Sequence, residues 1–435
     1  MPAYAGAASE AELGELAAYV AGLAPTTWPM VPPLAPEIIA ADRAARTTEA
    51  GYRPGPADDH DGALFGGTIA LQAAPAALAP AQASLSARQC GRCHAKQVRE
   101  WQGTVHALAW SPGLTGQMLR LKDAGAESCR RCHAPLAEQA ARVRPGQRGG
   151  DDLDRTYAAN ERFDRELAAE GLTCAACHVR AGVRHGPPAL APSLLRLPGY
   201  PLATLPVYER GDFCMGCHQL PPRGAVAGRP LLDTYREWLY GPYMKRGVQC
   251  QHCHMPNREH TWKGIHDPET FRQGIDVDVR ARRTGDGDVV VTATVTNVGA
   301  GHFLPTTPTP AAWVELELID ARGKAIPGTT ASRRIGRELR HDGKRFVQVE
   351  DTRIAPGASL ALDRAWRGGA IARATHVRVW VRVRPDDYYE GLYQRRLAGT
   401  LPAESRRMFQ AALVRAQASP YVAYDERWPI VSPPP

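Results

Sequence analysis

The chain has 435 residues, a formal net charge of +8 and ten cysteines. Its longest apolar stretch, Phe65 to Ala83, is interrupted by Pro75 and Pro80, so no segment supplies the roughly 20 unbroken apolar residues of a transmembrane helix. Aromatic residues make up only 7% of the chain, too few for a large core built from side chains alone.

Residues 1–24 carry apolar side chains at Leu13, Leu16, Ala17, Val20 and Leu23, the stripe of an amphipathic helix. Residues 25–86 are rich in proline and alanine and read as an extended connector. Residues 87–272 hold every cysteine, with short helices expected at 95–110 and 156–170. Residues 273–400 change character. Segments 275–280, 289–296, 313–319 and 375–383 alternate apolar and polar residues, and turn residues such as Gly285, Gly287, Gly323 and Gly357 separate them. That pattern predicts an antiparallel β-sandwich. Residues 401–435 read as a helix over 402–419 and a proline-rich tail.

The cysteines fall into five pairs with two residues between members: Cys90/Cys93, Cys129/Cys132, Cys174/Cys177, Cys214/Cys217 and Cys250/Cys253. A histidine follows each pair: His94, His133, His178, His218 and His254. Cys-x-x-Cys-His is the pattern of covalent c-type haem attachment. The thiols form thioethers with the haem vinyl groups, and the histidine becomes the proximal iron ligand. Structural zinc takes two such pairs per ion, which leaves one pair over, and it needs no histidine directly after each pair. A disulfide framework suits short secreted domains rather than five vicinal pairs along a long chain. Five c-type haems and their iron are therefore the expected cofactors, and the haems themselves are expected to form the core of 87–272. Each ferric haem adds about −1 and each ferrous haem about −2, so the balance becomes roughly +3 oxidised and −2 reduced. A nucleic-acid partner is not implied.

The segment Cys90 to His94, with Trp101, His106 and Ala107, resembles the first haem segment of the nitrifier-type tetrahaem cytochromes c. The segment Cys250 to Pro256, with His260, Gly264 and His266, resembles the last haem segment of the same superfamily. Residues 297–302, with Pro305 and Thr306, resemble a motif that opens the β-domain of larger members. The resemblance spans roughly residues 87–310. It departs from the four-haem carriers in having five motifs and an added β-domain. It implies a carrier role without naming a redox partner. Met1, Pro2, Ala3 and Tyr4, ahead of the first helix, resemble the end of a monohaem class I cytochrome c domain. The alternative is an initiator methionine followed by an alanine-rich helix.

Nine histidines remain after the proximal five. His60 precedes all the motifs, His252 lies inside its own motif, and His341 and His376 lie in the β-rich region. His106, His185, His260, His266 and His302 are left as distal ligands, five for five irons, which favours bis-histidine coordination. No residue is assigned a catalytic role. The reading is a mostly α-helical and irregular multihaem cytochrome domain followed by an antiparallel β-sandwich, relaying electrons between protein redox partners. One alternative is an oxidoreductase acting on a small nitrogen or sulfur compound at a five-coordinate haem. The lysine-ligated motif of pentahaem nitrite reductases is absent. The other is a subunit of an extracellular haem wire, within a membrane-associated or oligomeric redox complex. Haem attachment outside the cytoplasmic membrane places the protein in the periplasm or outside the cell. Since residues 1–24 lack a basic segment followed by an apolar core, the export signal is expected to have been removed or to lie upstream.

Overall fold

The computed structural model of the chain describes residues 69–72, 74, 76, 78–144, 157–187, 202–221 and 225–432. The amphipathic helix of 1–24 and most of the 25–86 connector lie outside the described residues.

In the cysteine-rich region, each motif is tied to a short helix. The helices are Ala87–Cys90, Asp123–His133, Cys174–His178, Asp212–His218 and Cys250–His254. One helical turn brings positions i, i+3 and i+4 to one face, so both thiols and the imidazole of a motif project together. His94 instead caps the following helix, Ala95–Gln102. That helix ends at Gly103, and 103–110 forms turns rather than the longer helix expected. The helix expected at 156–170 shrinks to Arg165–Ala169, started by Asp164, whose carboxylate accepts from Leu167 N at 3.0 Å. Small sheets fill the intervals. β1 (Arg142–Val143) pairs with β2 (Ala158–Ala159), and β3 (Val179–Arg180), β4 (Val183–Gly186) and β5 (Leu202–Thr204) form a second. Apolar clusters here are small: Ile69, Leu136, Leu167, Ala175 and Val179 make one, and Tyr235, Trp238, Leu239 and Tyr243 another.

The β-rich part is built differently. β6 (Ile275–Arg283), β7 (Val289–Asn297), β8 (Ala311–Asp320) and β13 (Ala374–Arg384) are the four strands legible from alternation. Strands β9 (Ala331–Ile335), β10 (Arg337–His341), β11 (Phe346–Asp351), β12 (Ser359–Trp366) and β14 (Tyr421–Pro429) join them. One sheet runs β12-β7-β6 and a second β14-β13-β8-β9, with every pair antiparallel. The inward residues of both sheets, among them Val289, Val291, Val295, Val314, Leu316, Val379 and Val381, share one buried cluster. The tail expected after 419 thus supplies an edge strand.

Two joints fix the cysteine-rich part against the rest. The helices Asp387–Ala398 and Ala403–Ala418 pack through Tyr393, Phe409 and Ala412 on the helix Pro112–Met118. That approach needs glycine, because a Cβ at Gly113 would sit 2.0 Å from the Tyr393 hydroxyl. The second joint is the 297–302 loop against the helices Thr234–Leu239 and Pro242–Lys245, where Tyr243 Oη donates to Val298 O at 2.7 Å.

Candidate haem-binding cavity

A branched cavity of about 2630 Å³ runs through the cysteine-rich part. Single-ligand pockets reach roughly 1000 Å³, so this one has room for several large ligands. Its walls carry all five motif histidines and nine of the ten motif cysteines, Cys129 being the exception. They also carry all five histidines expected as distal ligands, His106, His185, His260, His266 and His302. His252 lines it too, but its Nδ1 accepts from Gln249 N at 2.8 Å and caps its own helix. His60 lies outside the described residues.

The histidines are not scattered along these walls. His106 and His218 have ring centroids 6.3 Å apart, His178 and His260 6.2 Å, and His254 and His302 6.3 Å. Two imidazoles sharing one metal, with bonds of about 2.0 Å and ring centres about 1.1 Å behind each nitrogen, require close to 6.2 Å. Each pair joins one motif histidine to one distal candidate. Their tautomers are prepared as well. His133 Nδ1 lies 3.1 Å from Ala109 O, His178 Nδ1 2.8 Å from His185 O, and His254 Nδ1 2.5 Å from Lys263 O. A backbone carbonyl held at Nδ1 accepts a hydrogen bond from Nδ1–H, which keeps the ring proton there and leaves Nε2 as the free lone pair.

Electrostatics agree. Burial, followed by the neighbouring His218, His254 and His133, pushes His106 down to about 3. Burial is also the leading cause that brings His178 and His218 to about 4. Imidazoles of that kind are neutral in the working pH range, the form that binds metal. The Nδ1 atoms of His106, His185 and His260 are buried with no hydrogen-bond partner among the described residues. Buried polar atoms without a partner are uncommon in folded proteins, and all three residues line the cavity. All ten cysteines are free thiols. The residues therefore fit thioether-linked, histidine-ligated haem.

The thiols also record which motifs are neighbours. The Cys90 and Cys174 thiols lie close enough to perturb one another, as do those of Cys132 and Cys217 and those of Cys214 and Cys250. The Cys217 thiol is the leading cause that draws Cys132 down to about 7. Motif one therefore abuts motif three, and motif four abuts both two and five.

Two distal candidates have no motif imidazole at such a distance. His185 lies on β4, beside Arg180. His266 has its Nε2 3.3 Å from Asp386 Oδ2, so its ring is engaged by a carboxylate next to the helix Asp387–Ala398. Sequence reasoning missed three aromatic and acidic residues of the site. Trp262 stands edge-on to both His106 and His260, at 4.7 and 5.4 Å. Tyr208 stacks on His178 at 5.2 Å and donates to Cys177 O at 2.6 Å. Glu237 accepts the backbone N–H that follows His302, at 3.1 Å. Only Trp262, two residues past His260, carried a positional hint.

Among the described residues no helix is long and apolar enough to cross a membrane. No family model matches the chain, and no curated protein matches it. The arrangement of helices and antiparallel sheets is shared with a solved structure. The chain is similar to the crystal structure of a penta-heme cytochrome c552 from Thermochromatium tepidum, at 18% sequence identity and a TM-score of 0.56. The match covers 81% of this chain and 100% of that one. Residues 87–272 are 186 of 435, under half, so the shared fold extends beyond the motif region.

Proposed function

We propose that this chain is a periplasmic or extracellular electron-transfer protein that relays electrons through five covalently attached c-type haems. The single observation that carries the reading is the set of three imidazole pairs at 6.2–6.3 Å, each joining a motif histidine to a distal one. Haem supplies reversible one-electron chemistry of iron. The chain's own residues would set how that chemistry is used. His94, His133, His178, His218 and His254 would hold the proximal sides. His260 would close the distal side at motif three, His106 at motif four and His302 at motif five. An iron closed on both sides exchanges electrons but does not bind substrate.

The thiol contacts support a path from motif one to motif three. They also support a junction at motif four that serves two and five, and Trp262, edge-on to both the His106 and His260 rings, supports a link from three to four. In this reading the haem-filled cavity is the core of 87–272. The two facing sheets are a β-sandwich that supplies His302. The residues that resemble the nitrifier-type carriers support the same role.

A second reading has one observation in its favour. Asp386 engages His266 Nε2, so one of the irons at motifs one and two would lack an evident distal imidazole. An open iron there would suit an oxidoreductase for a small nitrogen or sulfur compound.

Two measurements test the proposal. Intact mass after acid–acetone extraction is expected to exceed the polypeptide by about 3 kDa, the contribution of five covalent haems. Extractable haem would refute it. Carbon monoxide added to the reduced protein separates the two readings. Inert irons support the relay, and one binding equivalent supports the oxidoreductase.

A further inference from the structure

His302 belongs to the β-rich part of the chain, yet its partner His254 belongs to the motif region. The chain must therefore hold a ligand in place across a joint. On the N-terminal side, Asn297 Nδ2 donates to His302 O at 2.9 Å and to Ile354 O at 3.0 Å, and Ala300 N donates to Asn297 Oδ1 at 3.0 Å. The glycines of this loop serve close approach. Neither has a positive φ, but a Cβ at Gly299 would meet Gln273 O at 2.4 Å, and one at Gly301 would meet Tyr243 Cβ at 3.3 Å. These contacts fix where the loop lies. They leave the turn of backbone after His302 to be set from its other side.

That side rests on a buried charge cluster. Glu237, on the helix Thr234–Leu239, uses Oε2 to accept from Phe303 N at 3.1 Å and from Thr306 Oγ1 at 2.6 Å. Its Oε1 accepts from Arg353 Nη1 at 3.0 Å. Arg353 Nη1 also donates to Thr306 O at 2.9 Å, while its Nε and Nη2 are gripped by both oxygens of Asp351 at 2.8 and 2.9 Å. The Arg353 guanidinium lies 5.0 Å from the centre of the Phe303 ring. The Arg353 and Glu237 side chains are 1% and 3% exposed. A buried charge costs free energy unless its partners are held in good geometry. Glu237 and Arg353 each have three partners, and Asp351 grips Arg353 with both oxygens.

We infer that Glu237, locked by Arg353 and Asp351, is a positioning residue that holds His302 as the distal ligand of the motif-five iron. The inference rests on the reading of His302 as a ligand. Glu237 touches no cofactor. It acts by fixing the Phe303 N–H, and through it the peptide that carries the His302 ring. His302 Nδ1 lies 2.9 Å from Phe303 O, so the same residue also orients the ring proton. The cluster spans both parts of the chain, since Glu237 comes from the motif region and Arg353 and Asp351 from the sheets. Ligation at motif five is thereby tied to correct docking of the β-rich part.

The test uses the full haem-loaded protein and reads carbon monoxide binding to the reduced form, together with low-spin signals of the oxidised form. His302→Ala is the reference and is expected to open one iron. Glu237→Ala removes the anchor and leaves the imidazole. The carbon monoxide concentration that half-saturates the same iron is expected to fall at least about tenfold relative to the parent, as for loss of a hydrogen bond to a charged group. Glu237→Gln keeps an acceptor toward Phe303 N and is expected to restore most of the parent behaviour. Should Glu237→Ala not fold, Arg353→Lys loosens the same cluster from the other part and is expected to shift the same iron in the same direction. If His302→Ala opens an iron while Glu237→Ala and Arg353→Lys bind carbon monoxide as the parent does, the positioning role is wrong and the ligand assignment stands. If His302→Ala opens none, both fail together.

Discussion

The three imidazole pairs differ in one respect that a magnetic measurement can read. The ring planes meet at 10° for His254 and His302, at 40° for His178 and His260, and at 65° for His106 and His218. Each axial imidazole raises the iron d orbital perpendicular to its own plane. Two parallel rings act on the same orbital and split the pair, while two crossed rings act on different orbitals and nearly cancel. For equal rings the splitting scales with the cosine of the angle between planes. The splitting relative to parallel rings is then about 0.98 for motif five, about 0.77 for motif three and about 0.42 for motif four, with the axial ligands as the lever. The oxidised protein should therefore show a rhombic low-spin electron paramagnetic resonance signal from motif five. Motif four should give a far more anisotropic one, dominated by a low-field feature. His106→Ala isolates the second. It should remove the most anisotropic component, about one fifth of the low-spin intensity, and add one high-spin iron, while the rhombic signal stays. If the difference spectrum of His106→Ala instead shows loss of the rhombic component, or no high-spin iron at all, the assignment of His106 to motif four is wrong.

Arg337 is fully buried and donates to the carbonyls of Val226, Arg229 and Pro230 and to Gln348. Arg337→Met strands several acceptors at once and is expected to cost about 3–5 kcal/mol. Guanidinium unfolding followed by circular dichroism checks it, and a loss under about 1 kcal/mol would refute it. On the terminal strand, the two bonds from Arg378, at 2.8 and 2.6 Å, hold the Asp425 carboxyl below its usual value. A depressed carboxyl stabilises fully above its unfolded value, and that contribution is lost as pH falls through the folded one. Both side chains are about two-fifths exposed, so the loss should stay below about 1 kcal/mol. Urea midpoints at neutral and strongly acidic pH should converge between the parent and Asp425→Asn as the pH drops.

The legible parts of the chain were those where one local rule decides the outcome. Alternation identified β6, β7, β8 and β13 because their inward residues all fall in one buried cluster. β12 and β14 escaped notice. Ser359–Trp366 and Tyr421–Pro429 carry charged residues across both faces, and their place is decided by partners distant in sequence rather than by their own pattern. The helix expected at 95–110 failed at Gly103, where the chain turns so that His106 can face Trp262 and His218. The candidate list could be drawn from counting, since the motif spacing and the surplus histidines are properties of the sequence, and all five candidates line the cavity. The pairing could not. The His106 ring faces the fourth motif's histidine rather than the nearest one, and His302 reaches the fifth motif's from the β-rich part, which only the three-dimensional path of the chain specifies. Glu237 had no signature at all, because its role lies in backbone contacts to Phe303 and Thr306.

The contrast between the two parts follows from what each has to pack. The sheets close on themselves, with Val, Leu and Ile side chains meeting across one interior. The motif region closes on a cavity of about 2630 Å³. At about 24 cal/mol per Å³, walls of that extent with nothing to pack on would cost on the order of 60 kcal/mol. Even a tenth of that figure matches a typical domain's whole stability of roughly 5–15 kcal/mol. The short helices around the motifs, four to eleven residues long, are marginal by themselves in water. In the proposed reading the haems would give the region its shape as well as its chemistry, and covalent attachment at ten thiols would make them part of the chain. The same residues that would carry electrons then fold the domain, so a motif cysteine replaced by serine should disturb packing well beyond its own iron.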